Sequence, residues 1–258
     1  MNHLRPIDWE AGTDAGIPGY RGQILYAGES CYVIATKVPP GVEGPATHTH
    51  ASDQIYVVLE GTTTIELGTE ERKVSRFGSV FIPAGVPHHN RNDGAVDEIH
   101  IEVIAPGGFL QPIASPSDSK DPKGLPYSTK DFAGSNGDGK GFSTTYLVNH
   151  ESGSLHASVY LGELGPGAAG PPLHTHEFDQ FYLVLEGSLR VTIGFEEHLV
   201  DPNTLVVLPA GVPHKQQNAS DTEIERHLTF IVPEPPLPHS AEHPWDIAVE
   251  LTATGVHI

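Results

Sequence analysis

The chain has 258 residues, with 14 Lys and Arg against 33 Asp and Glu, a formal net charge of −19. That excess repels phosphate backbones and anionic lipid surfaces, so neither nucleic acid nor membrane is an expected partner. The single cysteine, Cys31, leaves no disulfide framework and no thiolate metal cage. The opening "MNHLRPIDWE" has no apolar h-region, and no apolar run of about eighteen residues occurs, so a soluble cytoplasmic protein is the expectation.

With 28 glycines, 23 prolines and no long helix-period apolar pattern, the chain reads as many short strands joined by turns. In chain order the first group of strand candidates is "QIYVVLEG", "TTTIELG", "ERKVSRFG", "SVFIPAG" and "EIHIEVIAP". The continuous apolar run at 55–59 suits a strand buried on both faces. Residues 105–141, rich in Pro, Gly, Ser and Asp, read as a connection lying on the surface. A second group follows: "QFYLVLEG", "SLRVTIG", "EEHLVDPN", "TLVVLPAG" and "ERHLTFIVP". The tail is Pro-rich and offers one short strand candidate at 247–251.

The two groups are copies. "HTHASDQIYVVLEG" at 48–61 returns as "HTHEFDQFYLVLEG" at 174–187, and residues 41–92 align on 167–218 without a gap at an offset of 126. Such a period, occurring twice, suits a duplicated small domain rather than a solenoid. The expected organisation is an N-terminal module at 1–105, a connection at 106–141 and a C-terminal module at 142–258.

Each copy concentrates histidine. Side chains at i, i+2 and i+6 of a strand share a face, so His48, His50 and Gln54 point together, as do His174, His176 and Gln180. A further imidazole follows each Pro/Gly turn, His88 in "IPAGVPHHNRN" and His214 in "LPAGVPHKQQN". An isolated H-x-H carries a high false-positive risk, but the same four residue types recur at identical spacing. The expectation is up to two divalent transition ions per chain, drawn from Fe, Ni, Co, Cu, Mn or Zn, because imidazole-rich sites suit these over Mg or Ca.

"GVEGPATHTHASDQIYVVLEG" followed by "GSVFIPAGVPHHNRN" resembles the two motifs of the cupin superfamily, roughly G-x5-H-x-H-x3,4-E-x6-G and G-x5-P-x-G-x2-H-x3-N, and the second copy resembles them equally. The resemblance implies an all-β bicupin, two tandem jelly-roll β-barrels of quercetinase-like type. There are two departures. Gln54 and Gln180 stand where the family usually has a glutamate ligand, and the glycine that opens the second motif is Gly78 in one copy and Thr204 in the other. An amide leaves a bound ion at its full charge and cannot act as a general base, so proton transfer needs another group.

Candidates for that work are His100 and His227, at equivalent points of the last strand of each module, with an outward, solvated placement as the alternative. Tyr56, Val58, Tyr182 and Val184 share the ligand parity and are candidate cavity walls, with Phe81 and Ile82 beside them. Asp53 and Asp179 have opposite parity and read as loop-fixing residues; Asn92 and Asn218 read as structural. His3, His150, His239, His243 and His257 read as scattered surface histidines.

The favoured expectation is a dioxygenase acting on an enolisable or phenolic, oxygen-chelating small molecule, with O2 as co-substrate. A non-redox isomerase, lyase or cyclase of a sugar-derived or polyketide-like carbonyl is the alternative, and a non-catalytic binding module the third. Oxalate decarboxylation is disfavoured, because no arginine accompanies the "GPAT" and "GPPL" that precede the histidines. Homodimerisation is left open.

Overall fold

The computed structural model describes residues 2–14, 16–108, 113–114, 127–235, 244–252 and 255–257. Every long element among them is a β-strand; the one helical element is a 3-10 turn at His150–Ser152. None is a helix long and apolar enough to cross a membrane.

Two compact units emerge. In the first, a seven-stranded sheet runs in the order Ser128–Lys130, Ser79–Ile82, Asp53–Glu60, Glu98–Ala105, Tyr32–Val38, Arg21–Ala27, Thr13–Asp14. Its second sheet runs Ile113–Ala114, His48–Thr49, His88–Arg91, Thr62–Leu67, Glu70–Ser75. The other unit repeats this plan. One sheet holds Leu4–Pro6, Thr204–Leu208, Asp179–Glu186, Glu225–Val232, Ser158–Leu164 and Phe142–Val148. The other holds Glu196–Val200, Leu189–Ile193, His214–Asn218, His174–Thr175 and Ile247–Ala248. The fold is all-β, two jelly-roll barrels in tandem.

The burial patterns explain the pairing. Leu189–Ile193 alternates buried and half-buried residues, as a strand with one face on a core must. Asp53–Glu60 and Asp179–Glu186 are apolar on both faces through their middles and occupy central sheet positions. In each barrel the core is a cluster of aliphatic residues around one tyrosine: Tyr56 with Val58, Ile65, Leu67 and Ile82, and Tyr182 with Val184, Leu189, Val191 and Leu208. Each such side chain is worth about 1.5–3 kcal/mol on full burial.

The units are not the linear blocks expected at 1–105 and 142–258. Residues 1–6 group with the C-terminal barrel, because Leu4–Pro6 pairs antiparallel with Thr204–Val206. Residues 147–157 group with the N-terminal barrel, and the connection lends it Ser128–Lys130, which pairs with Ser79–Phe81. Among the described residues the tail carries three strands, Ile247–Ala248, Glu250–Thr252 and Gly255–His257, in place of one.

The departure at Thr204 has a simple physical basis. At this turn the positive φ belongs to the preceding residue, Phe77 or Asn203, at 62° in both barrels. The position itself makes no left-handed demand that threonine would fail.

Of the scattered histidines, His150 is exposed, whereas His3 is partly buried and donates through Nδ1 to the Val207 carbonyl at 2.7 Å. His239, His243 and the side chain of His257 lie outside the described residues.

Candidate metal centres

Each histidine cluster forms where two strands meet. His48 lies directly opposite His88 across the ladder, and His174 opposite His214. His50 and His176 lie two residues along on the same face. The turn that presents the third histidine is tied down twice. Asp53 and Asp179 accept from the amides of Ala84 and Ala210, both at 2.9 Å. Gly85 and Gly211, at φ of 85° and 78°, donate to the carbonyls of His50 and His176 at 2.8 Å. Asn92 and Asn218 each bind several loop carbonyls.

The three imidazoles of each cluster place donor atoms within 4.8 Å of one another, all buried. Five of the six commit a proton to a backbone carbonyl, whereas His50 Nδ1 is buried with no partner and its proton can sit on Nε2, facing His48. His48, His88, His174, His176 and His214 donate from Nδ1 to the carbonyls of Ala46, Val86, Pro172, Phe178 and Val212 at 2.8–2.9 Å. Burial, with the neighbouring imidazoles adding to it, lowers His88 and His214 to about 3 and His50 to about 4, and burial also lowers His48 and His176. A neutral ring with its proton on Nδ1 turns a lone pair at Nε2 toward the cluster, which is the ligating form.

Those lone pairs face other acceptors. Gln180 Oε1 lies 2.8 Å from His176 Nε2 and 2.9 Å from His214 Nε2. In the first barrel His48 Nε2 lies 3.1 Å from His50 Nε2, and His88 Nε2 and Gln54 Oε1 are buried with no hydrogen-bond partner. Two donors each about 2.1 Å from one ion, at tetrahedral or octahedral angles, are about 3.0–3.4 Å apart. The Gln180 oxygen set against two such lone pairs in the second barrel, and the unpartnered His88 Nε2 and Gln54 Oε1 in the first, are relieved by a cation among them, so both sites suit a divalent transition ion.

The surroundings of the two clusters differ. In the first barrel Gln54 Nε2 donates to Glu102 Oε2 at 2.8 Å, and Glu102 also accepts from Thr36 Oγ1 at 2.6 Å and His100 Nε2 at 3.2 Å. His100 Nδ1 donates to Glu98 at 2.9 Å. Burial opposes charge on His100, but Glu98 and Glu102 outweigh it and push the imidazole up to about 10. Burial likewise opposes ionisation of Glu102, yet His100, Thr36 and Gln54 hold it below the usual range. A buried carboxylate therefore stands one hydrogen bond from the presumptive amide ligand, which revises the expectation of a wholly neutral centre. In the second barrel Thr229 takes this register position, opposite Tyr182 as Glu102 is opposite Tyr56.

His100 and His227 are both buried inside their barrels, so the solvated alternative does not hold. His227 Nδ1 faces Glu225 at 2.8 Å, its Nε2 lies 3.5 Å from the Gln216 amide, and Gly162 leaves room for it: a Cβ there would stand 2.5 Å from Nε2. Neither histidine belongs to the ion-facing trio. His100 connects to it through Glu102 and Gln54.

The cavities differ as well. The first cluster opens on about 530 Å3 lined by Tyr20, Ile24, Ile34, Tyr56 and Ile104 among others. The second opens on about 200 Å3 lined by Phe142, Tyr146, Tyr160, Phe178, Tyr182 and Trp245. Phe178 stacks on His176 with centroids 3.9 Å apart, and Trp245 meets Phe178 edge-on at 6.1 Å. Of the four expected wall residues, Tyr56 and Tyr182 line these cavities. Val58 and Val184 lie in the aliphatic clusters, one strand repeat beyond those tyrosines; Ile82, opposite Gln54, also lies in its cluster, and Phe81 is buried outside both cluster and cavity lining. Glu102, Tyr160, Phe178, Trp245 and Asp246 were not singled out from the sequence. The parity of Glu102 with His100 is a signal for the first; nothing local marks the rest.

The cupin domain model matches residues 35–104 and 160–230, one match in each barrel. An uncharacterized protein of Streptomyces coelicolor is 44% identical over 39 residues, a match spanning 15% of this chain and 37% of that protein. Among solved structures, AerE from Microcystis aeruginosa superposes with a TM-score of 0.68 at 14% identity, covering 90% of this chain and all of that one. Salicylate 1,2-dioxygenase from Pseudaminobacter salicylatoxidans superposes with a TM-score of 0.65 at 14% identity, covering 84% and 78%. At such identities the likeness is one of fold. With the domain matched in both halves and a histidine trio in each, the chain belongs to the cupin superfamily, as a bicupin.

Proposed function

We propose that this bicupin is a metal-dependent dioxygenase acting on a small enolisable or phenolic molecule that chelates through two oxygens. His48, His50, Gln54 and His88 would hold one ion, and His174, His176, Gln180 and His214 the other. A bound divalent ion supplies Lewis acidity and, if redox-active, a route for electrons from an electron-rich substrate to O2.

The observation that carries this reading is the convergence of Nε2 lone pairs and an amide oxygen at the floor of an aromatic-lined cavity. Four neutral donors leave octahedral positions for a chelating anion and retain the ion's charge to attract it. Phe178 and Trp245 offer ring faces and edges to a flat substrate. Burial pushes the phenols of Tyr160 and Tyr182 up, so they stay protonated and can donate hydrogen bonds without serving as bases. The fold shared with salicylate 1,2-dioxygenase is compatible with this chemistry.

One observation favours a second reading, a non-redox isomerase, lyase or cyclase. The Glu98–His100–Glu102 array beside Gln54 is an acid–base system that needs no oxygen. Turnover of candidate chelating substrates is to be compared in air and under nitrogen with Fe(II), Ni, Co and Zn reconstituted in turn. Dioxygenation requires stoichiometric O2 uptake and inactivity with Zn, which has no accessible redox state. Full activity under nitrogen with Zn would move the assignment to the second reading.

A further inference from the structure

The C-terminal barrel carries a carboxylate that neither cupin motif contains. Asp246 immediately precedes Ile247–Ala248, the short strand that pairs with His174–Thr175 at the edge of the ligand-bearing sheet. Its Oδ1 lies 3.6 Å from His174 Nε2, and it lines the cavity with His174, His176 and Gln180. We infer that Asp246 is a displaceable donor to the ion of the C-terminal centre, supplying in the resting site the negative charge that Gln180 lacks and yielding its position to a chelating anion; the inference rests on the reading of that cluster as a metal centre.

The spacing supports coordination over a simple ion pair. A separation of 3.6 Å is too long for a hydrogen bond and near the 3.0–3.4 Å expected of two atoms bound to one ion. His174 already spends its Nδ1 proton on the Pro172 carbonyl at 2.8 Å. The Asp246 side chain is about one-third exposed, at 34%, so a shift of a few tenths of an ångström meets little packing resistance.

The N-terminal barrel has the same edge strand without the donor. Ile113–Ala114 pairs with His48–Thr49 in the register of Ile247–Ala248 on His174–Thr175. The residue before Ile113 in the sequence is Pro112, which has no ligating side chain. Among the described residues the two centres would thus differ by one charged donor, contributed by a segment outside the duplicated motifs.

The test uses the full chain with the first centre removed by His48→Ala/His50→Ala, titrated with Co(II) and followed by calorimetry and by the visible ligand-field spectrum. In that background Asp246→Ala is expected to weaken Co(II) binding about 10–100-fold and to shift the ligand-field bands. Asp246→Glu should recover most of the affinity, and Asp246→Asn part of it. Affinity and spectrum unchanged in Asp246→Ala would overturn the inference while leaving the centre intact. No Co(II) binding by the parent would overturn both. In the complementary His174→Ala/His176→Ala background, Asp246→Ala should have no effect; an equal loss there would mark a general destabilisation and overturn the assignment.

Discussion

The N-terminal and C-terminal centres share a histidine trio and a glutamine and differ in where the nearby carboxylate stands. In the first, Glu102 is buried and reaches the cluster through the Gln54 amide, whose oxygen it enriches by accepting from the nitrogen of the same group. In the second, Thr229 replaces it, and the nearest acid is Asp246, partly exposed at the cavity wall. Around the first, the wall is roomy and largely aliphatic; around the second it is narrow and aromatic. The two copies keep the histidine trio and the glutamine while the residues around them differ. A glutamine acting as a ligand would therefore have a different electronic character in each barrel.

That contrast can be broken outright by removing ligands. His48→Ala/His50→Ala and His174→Ala/His176→Ala should each lower bound metal from two ions per chain to one, read by elemental analysis; equal content in wild type and both variants would refute the paired centres. The next largest effect concerns the buried array. His100→Ala leaves Glu98 and Glu102 buried without their cation and should cost about 3–5 kcal/mol in urea unfolding. His227→Ala, which strands only Glu225, should cost less. Because folding raises His100 from an ordinary 6.5 to about 10, its stabilisation is complete below about pH 6.5 and is lost as pH rises through about 10. The alkaline loss should be shallower in His100→Ala.

A smaller effect separates the glutamines. Gln180→Glu should keep or tighten metal binding, whereas Gln54→Glu sets a carboxylate against Glu102, 2.8 Å from the present amide nitrogen, and should cost about 1–3 kcal/mol. Equal stability of the two variants would show that Glu102 yields its proton balance freely. The least effect is expected from Trp245→Ala, about tenfold weaker binding of a flat chelating ligand at the C-terminal centre alone, or about 1.4 kcal/mol, measured by calorimetry in the His48→Ala/His50→Ala background.

The donors were legible because strand parity and the Pro-Ala-Gly turn are local: each donor's direction follows from residues within about six positions of it. Asp53 and Asp179 could be assigned to the loop for the same reason. Tyr160 and Asp246 could not, since one enters from a strand, and the other from the residue before a strand, whose register against the ligand strands is fixed only by pairing; Glu102 had only its parity with His100 to mark it. Val58 and Val184 share parity with Gln54 and Gln180, yet the strand runs past the end of the cavity before reaching them, and same-face position then means aliphatic core. Module boundaries failed for a related reason: nothing near residues 4–6 indicates that their partner lies about two hundred residues on.

That last pairing bears on how the protein is made. His3 contacts Val207 across 204 positions of sequence, so at roughly 5–20 residues per second of synthesis the opening segment waits on the order of ten to forty seconds for its partner strand. The equivalent edge of the first barrel is closed by Ser128–Lys130, fewer than fifty residues after the strand it covers, and can be sealed while the rest of the chain is still unmade. Until residues 4–6 dock, "TLVVL" at 204–208 is an unpaired apolar edge able to recruit a strand from another chain. Residues 4–6 thus close the free edge of a strand made about two hundred positions later, and Arg5→Pro, which removes a backbone donor from that pairing, is expected to raise aggregation during refolding, read by light scattering.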